Sequence, residues 1–261
     1  LRAAAAALIL ALAAGVAATV AAACDWPGPP PGSGEARAEG PGIVWAAFSD
    51  ATDRYDHGIL GDAVEAGGLR AATATLGPCD LAVILPATRV FEDIAPRLAD
   101  LDGDGAAEIV VVETEIARGA MLAVYGLRGD RLVQLAATAP IGRTHRWLAP
   151  AGIGDLDGDG RVEIAYVDRP HRARILRVVR YDPAGPRLTE VAAAEGHTNH
   201  RIGDPTILGG LRACGGTPEI VTASPDWSRL LAARLEAGRL VARDLGPNRG
   251  ARAVARALAC R

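Results

Sequence analysis

Two acidic loops, Asp100-Leu-Asp102-Gly-Asp104-Gly105-Ala106-Ala-Glu108 and Asp155-Leu-Asp157-Gly-Asp159-Gly160-Arg161-Val-Glu163, each run directly into an apolar segment, Ile-Val-Val-Val and Ile-Ala-Tyr-Val. The two closing glutamates are 55 residues apart. Self-similarity at such a spacing constrains a chain to build one structural unit repeatedly. A further step along the chain reaches Glu219, in Gly215-Gly216-Thr-Pro-Glu219-Ile-Val-Thr-Ala, where Leu211, Ala213 and Gly215 stand in place of the three aspartates. This third copy is expected to keep the fold and lose the ligands.

Other markers keep the same beat. Pro96, Pro150 and Pro205 open the strand before each loop, and Arg131-Leu132, Arg187-Leu188 and Arg239-Leu240 follow turns rich in Gly, Pro and Asp. Apolar runs between these turns give short strands, placed in the clearest unit at 95–100, 108–114, 120–126 and 131–138. Four strands per unit at this period predict an all-β chain, a small β-propeller of four-stranded blades. A weaker unit precedes them at Asp56 to Glu65, but its Asp56, Asp62 and Glu65 have the wrong spacing for ligands. The segment 251–258 reads as a lone inner strand, with Ile43 to Phe48 as the strand able to share a blade with it. Closure by the two chain ends predicts about five blades, with four as the alternative.

Alternating carboxylates at loop positions 1, 3 and 5, a glycine at 6 and a glutamate at 9 aim hard oxygen ligands at one point. The candidate metal ligands are Asp100, Asp102, Asp104, Ala106 and Glu108 in the first loop and Asp155, Asp157, Asp159, Arg161 and Glu163 in the second. An all-oxygen, flexible, multidentate set favours calcium over magnesium, and the lack of Cys or His argues against zinc. Two calcium sites are expected. A turn alone needs Gly or Asp at one or two places, not three alternating Asp and a Glu in duplicate.

These Asp-x-Asp-Gly-Asp-Gly-x-x-Glu loops resemble those of FG-GAP and VCBS-type repeat proteins, whose best-known relatives are the integrin α-subunit propellers. The resemblance covers about residue 50 to the C-terminus and is specific in two units; Ile94-Ala95-Pro96, Leu148-Ala149-Pro150 and Gly203-Asp204-Pro205 are what remains of the family's other elements. It implies a calcium-binding β-propeller outside the cell membrane, used for recognition or as a scaffold.

Residues 1–23 carry Arg2, an Ala/Leu/Ile/Val run and Ala21-Ala22-Ala23, which reads as a secretory signal peptide. A Pro/Gly/Ser-rich stretch over 24–42 reads as a flexible arm, and the propeller is expected over 43–261. The basic residues are all Arg, and with abundant Ala, Gly and Pro they suit a GC-rich bacterium exporting the chain to the periplasm or medium. With a net charge of −3 and no basic stripe, nucleic acid is excluded as a partner. The 4 cysteines are an even set. Cys214 and Cys260 fall in neighbouring equivalent loops of the repeat and are expected to be bridged, which leaves Cys24 with Cys79 by parity. The alternative for Cys24 is a lipid anchor, because Ala21-Ala22-Ala23-Cys24 before a polar linker resembles a bacterial lipoprotein.

His145-Arg146 and His200-Arg201 are separated by the repeat period, and Glu92-Asp93 takes the corresponding place earlier. They form a candidate ligand surface at a channel mouth, suited to an anionic or sugar-like ligand or, in the alternative reading, to a carbohydrate-active lyase or hydrolase. The same periodicity suits inter-blade caps and salt bridges. No nucleophile elbow, phosphate loop or zinc-protease helix is present. The leading expectation is a binding or scaffold module for an unidentified protein or glycan.

Overall fold

The computed structural model describes residues 26–261; the expected leader at 1–23 and Cys24 lie outside the described residues. The strands follow one another as antiparallel four-stranded units in chain order. The first contains β1 (Glu35–Arg37), β2 (Trp45–Thr52), β3 (Glu65–Ala72) and β4 (Leu81–Ile84). After a short β5 (Arg89–Phe91), the second contains β6 (Arg97–Ala99), β7 (Glu108–Glu115), β8 (Gly119–Arg128) and β9 (Arg131–Ala137). The third contains β10 (Leu148–Gly154), β11 (Glu163–Asp168), β12 (Ile175–Asp182) and β13 (Arg187–Glu195), and the fourth β14 (Gly210–Arg212), β15 (Glu219–Ala223), β16 (Arg229–Glu236) and β17 (Arg239–Pro247). In the second unit the strands lie close to the predicted segments. β5 pairs with both β3 and β7, so the first two units share one continuous sheet.

The apolar runs after the two glutamates follow from burial on both sheet faces. Along β7, Ile109 and Val111 enter the core shared with the first unit, whereas Val110 and Val112 enter the core shared with the third. β11 divides in the same way, with Ile164 and Tyr166 facing the second unit and Ala165 and Val167 facing the fourth. Strand alternation thus sends successive residues into different cores, and each fully buried aliphatic side chain contributes about 1.5–3 kcal/mol. The sheets stack face to face. Among the described residues, hydrogen bonding does not join them into a closed ring.

The C-terminal segment corrects one expectation. Residues read as a closing strand form a helix, α1 (Ala251–Leu258), and β2 pairs with β1 and β3 instead. The segment is alanine-rich, and alanine has the highest helix propensity. Its spacing is helical, with Ala253 and Ala257 buried and Arg252 and Arg256 exposed. Gly250, at φ 77, turns the chain out of β17 into the helix. α1 covers Val221 and Leu230 on the outer face of the fourth sheet. Closure by paired terminal strands is therefore not how this chain ends.

The segment preceding residue 43 lies along the first two units. β1 pairs with β2, the Gly34 amide donates to the Ile94 carbonyl at 2.8 Å, and Trp26 meets Trp45 edge-on at 5.1 Å.

Candidate metal centre

The β6–β7 and β10–β11 turns carry the acidic loops, and they repeat each other bond for bond. In the first, Asp100 accepts from the Gly103 and Gly105 amides at 2.7 and 2.9 Å, Asp102 from Asp104 at 3.2 Å, and Asp104 from Ala106 at 2.7 Å. In the second, Asp155 accepts from Gly158 and Gly160 at 2.7 and 2.9 Å, Asp157 from Asp159 at 3.2 Å, and Asp159 from Arg161 at 2.9 Å. Gly103 and Gly105, at φ 80 and 88, allow the first chain to coil this tightly, and Gly158 and Gly160 do the same in the second. The leucine at position 2 anchors each loop. Leu101 and Leu156 are buried, and their amides donate to Glu108 and Glu163, each at 2.9 Å.

Carboxylate oxygens of Asp100, Asp102 and Glu108 lie within 4.8 Å of one another, as do those of Asp155, Asp157 and Glu163. The Asp104 and Asp159 carboxylates fall outside these two groups, and Ala106 and Arg161 have only backbone carbonyls to offer. Burial pushes the Glu108 carboxyl up to about 7, and the negative charges of Asp102, Asp104 and Asp100 add to the shift. The same burial raises Glu163, while the Leu156 amide and Arg180 oppose it. A buried carboxylate ringed by others is costly unless a cation neutralises the set. The donors are oxygens only, so the residues present fit a hard divalent cation.

Residues 100–166 match the FG-GAP-like repeat. Comparison with curated proteins finds no match to the chain. The FG-GAP match takes in both acidic loops, the whole of β7 and the start of β11, so the expected repeat type is borne out over residues 100–166.

The FG-GAP loops differ in what stands across from the closing glutamate. In the second, Arg180 on β12 pairs in register with Glu163; its guanidinium meets that carboxylate and approaches Asp157 and Asp159 at 3.3 and 3.0 Å. In the first, Gly126 follows Tyr125, the partner of Ile109, and a Cβ there would lie 3.5 Å from Glu108 Cγ. The largest charges acting on Glu108, those of Asp102, Asp104 and Asp100, are negative. In the degenerate unit, Glu219 accepts from Arg212 at 2.8 Å, Arg243 at 2.9 and 3.0 Å and Arg234 at 3.2 Å. Arg243, then Arg212, hold its carboxyl down at about 2. Arginines thus fill the place of the aspartates. Cys214, in the same turn, is bridged to Cys260 beyond α1, as expected, although Cys260 follows a helix rather than a strand. Cys79 is not free, and its expected partner Cys24 lies outside the described residues.

The candidate ligand surface divides among separate environments. Glu92 and Asp93 are buried: Glu92 accepts from Thr114 at 2.6 Å and meets His57, while Asp93 takes Arg97 at 2.7 and 3.0 Å and the Val112 amide at 2.9 Å. His145 bonds Asp56 at 2.8 Å and stacks on Tyr55, and Arg146 lies beside it. His200 is buried against Trp147 and bonds His171 at 3.0 Å. His200 Nε2 donates to the Asp204 carbonyl, so its Nδ1 accepts and His171 Nε2 donates. Arg201 is elsewhere, over the Trp227 ring at 4.3 Å near α1. His57, His171, Arg169 and Arg172 join His145 and Arg146 around one cavity. Arg169, His171 and Arg172 lie on the β11–β12 turn, which the repeat does not mark, whereas His57, on the β2–β3 loop, stands roughly at the repeated position of the first unit.

Proposed function

We propose that the chain is an exported, calcium-binding, propeller-type module that serves as a binding or scaffold element, with calcium fixing the turns at 100–108 and 155–163. The observation that carries this reading is the duplicate gathering of three carboxylates within 4.8 Å on an identical frame of backbone hydrogen bonds. Calcium is favoured because the ligands are oxygens on glycine-containing loops that tolerate the irregular, high coordination calcium takes. The four four-stranded units are the blades in this reading, stacked through their shared cores. Export is supported by the Cys214–Cys260 bridge, since disulfides persist in oxidising compartments.

Binding is favoured over the lyase or hydrolase reading because the carboxylates such chemistry needs are engaged elsewhere. Glu92 bonds Thr114 and His57 out of solvent, and Asp93 is held by Arg97 and backbone amides. Calcium titration by calorimetry after chelator treatment tests the proposal. Two binding events and a raised melting temperature are expected; no heat with calcium, or equal response to magnesium, would overturn it.

A further inference from the structure

Alternate turns of an up-and-down sheet lie at opposite strand ends, so the β2–β3 loop, the β9–β10 connection and the β11–β12 turn lie at the ends away from the acidic loops. There they enclose a cavity of about 200 Å³, lined by His57, His145, Arg146, Arg169, His171 and Arg172 over a Trp147 floor. We propose that this cavity is a binding site for an oxyanion: the carboxylate, sulfate or phosphate group of a small ligand or of an acidic glycan.

The first argument is charge. Arg169 is neutralised by Asp168, through two bonds of 2.8 Å. Arg146 reaches only the carbonyl of His145, at 2.6 Å, and Arg172 makes no ion pair among the described residues. The carboxylates nearby are already engaged, with Asp56 on His145 and Glu92 buried behind His57. Arg146 therefore feels mainly cations: after desolvation, Arg172, Arg143 and Arg169 all disfavour its charge. Uncompensated arginines lining one cavity are stabilised when an anion bridges them.

The second argument is shape and chemistry. Guanidinium groups present planar forks of donors that match an oxyanion, which an ammonium does not. Trp147 spends its ring N–H on the Glu92 carbonyl at 2.7 Å and packs against His200 at 4.8 Å, so what it lends to the cavity lining is apolar, with His171 nearly parallel 6.5 Å away. A cavity of this size exceeds the roughly 30 Å³ of a single water yet falls short of the ~300–1,000 Å³ typical of drug-sized ligands. An oxyanion or one acidic sugar group is the right scale.

The third argument is backbone strain. His145, Arg169 and Arg174 adopt left-handed φ of 52, 48 and 56 although none is glycine. Such outliers cluster where a fold holds side chains for a purpose. Here they set the two segments that supply the arginines.

Calorimetry on the full chain in low salt, stripped of calcium and dialysed free of chelator, tests the site using inorganic phosphate, sulfate and glucuronate. Binding by at least one is expected at one per chain, and preference for phosphate or for glucuronate distinguishes a phosphorylated ligand from an acidic sugar. Arg146→Gln with Arg172→Gln should weaken it at least about tenfold. Arg131→Gln with Arg239→Gln, at exposed hairpin turns, should leave it unchanged. Circular dichroism checks the fold of each variant; if the cavity pair unfolds, Arg172→Gln alone must still weaken binding. No binding by all three anions, or equal loss in both pairs, would overturn the proposal. Because calcium is absent throughout, failure of the calcium reading leaves the result intact.

Discussion

Arg180 brings a cation of its own to the second acidic loop, whereas the first has Gly126 at the corresponding strand position. The two loops should therefore differ in metal affinity despite their matching backbones. Entry of calcium at 155–163 must displace the guanidinium, a charge-assisted contact contributing about 1.5–3 kcal/mol. Arg180→Ala is expected to tighten the weaker calcium event about tenfold and leave the stronger one unchanged. A loss of that event would mean that Arg180 shapes the loop rather than competing for it. His197 offers a second test. It is buried, bonds Thr222 at 2.8 Å, and burial holds its pKa down at about 4. The unfolded chain takes up a proton near pH 6.5 that the folded chain refuses, so this contribution is present above pH 6.5 and is lost as pH falls toward 4. Glu65 and Glu92 act oppositely: burial raises them to about 9 and about 8, so their contribution is greatest below pH 4.5 and is lost as pH rises through those values. Denaturant titrations of wild type and His197→Gln from pH 7 to 4 isolate the histidine. The variant should lose less stability across that range, by at most about 3 kcal/mol. Residues such as Asp100 and Glu108 were legible in the sequence because their spacing along one turn fixes their meeting. Arg180 was not, because it reaches Glu163 across a strand pair, a relation set by register rather than by local spacing.

At the scale of elements, the strands and turns were read well wherever apolar runs ended at Gly, Pro or Asp, and α1 was misread for a definable reason. Its sequence alternates alanine with larger residues, Arg252, Val254, Arg256 and Leu258, closely enough to imitate a strand, and the repeat called for one there. What decided the outcome was alanine's helix propensity and the four-residue spacing of Ala253 and Ala257 against the fourth sheet. A helix of 8 residues is marginal alone. Packing and the Cys214–Cys260 bridge, which closes a separation of 46 residues, hold it in place. The loop-entropy estimate for that closure is about 4 kcal/mol. Replacing both cysteines by serine should free α1, lowering the melting temperature and speeding tryptic cleavage at the exposed Arg252 and Arg256. Unchanged cleavage would show that Val221 and Leu230 suffice to hold the helix.

The molecule as a whole is a succession of sheets with the acidic turns at one set of strand ends and the arginine-lined cavity at the other. The bound ion in our reading is therefore a structural support remote from the ligand, and calcium with 100-fold excess over its dissociation constant would stabilise the fold by about 2.7 kcal/mol per site. Differential scanning calorimetry with and without chelator measures that; an unchanged transition would contradict a structural role. β5 gives the assembly an uneven build. By pairing with both β3 and β7 it makes the first two units one hydrogen-bonded sheet, whereas the third and fourth are separate sheets that meet their neighbours through side chains and a few linker amides, such as the Thr198–Ala223 bridge. Amide hydrogens in β2, β3, β7 and β8 should then exchange with solvent together, and those of β15 and β16 earlier and independently. Stretched from its ends, the chain would carry the load through the Cys214–Cys260 bridge, which shields β15, β16, β17 and α1, so that the force falls on β14 and the third sheet first and on the fused N-terminal block last.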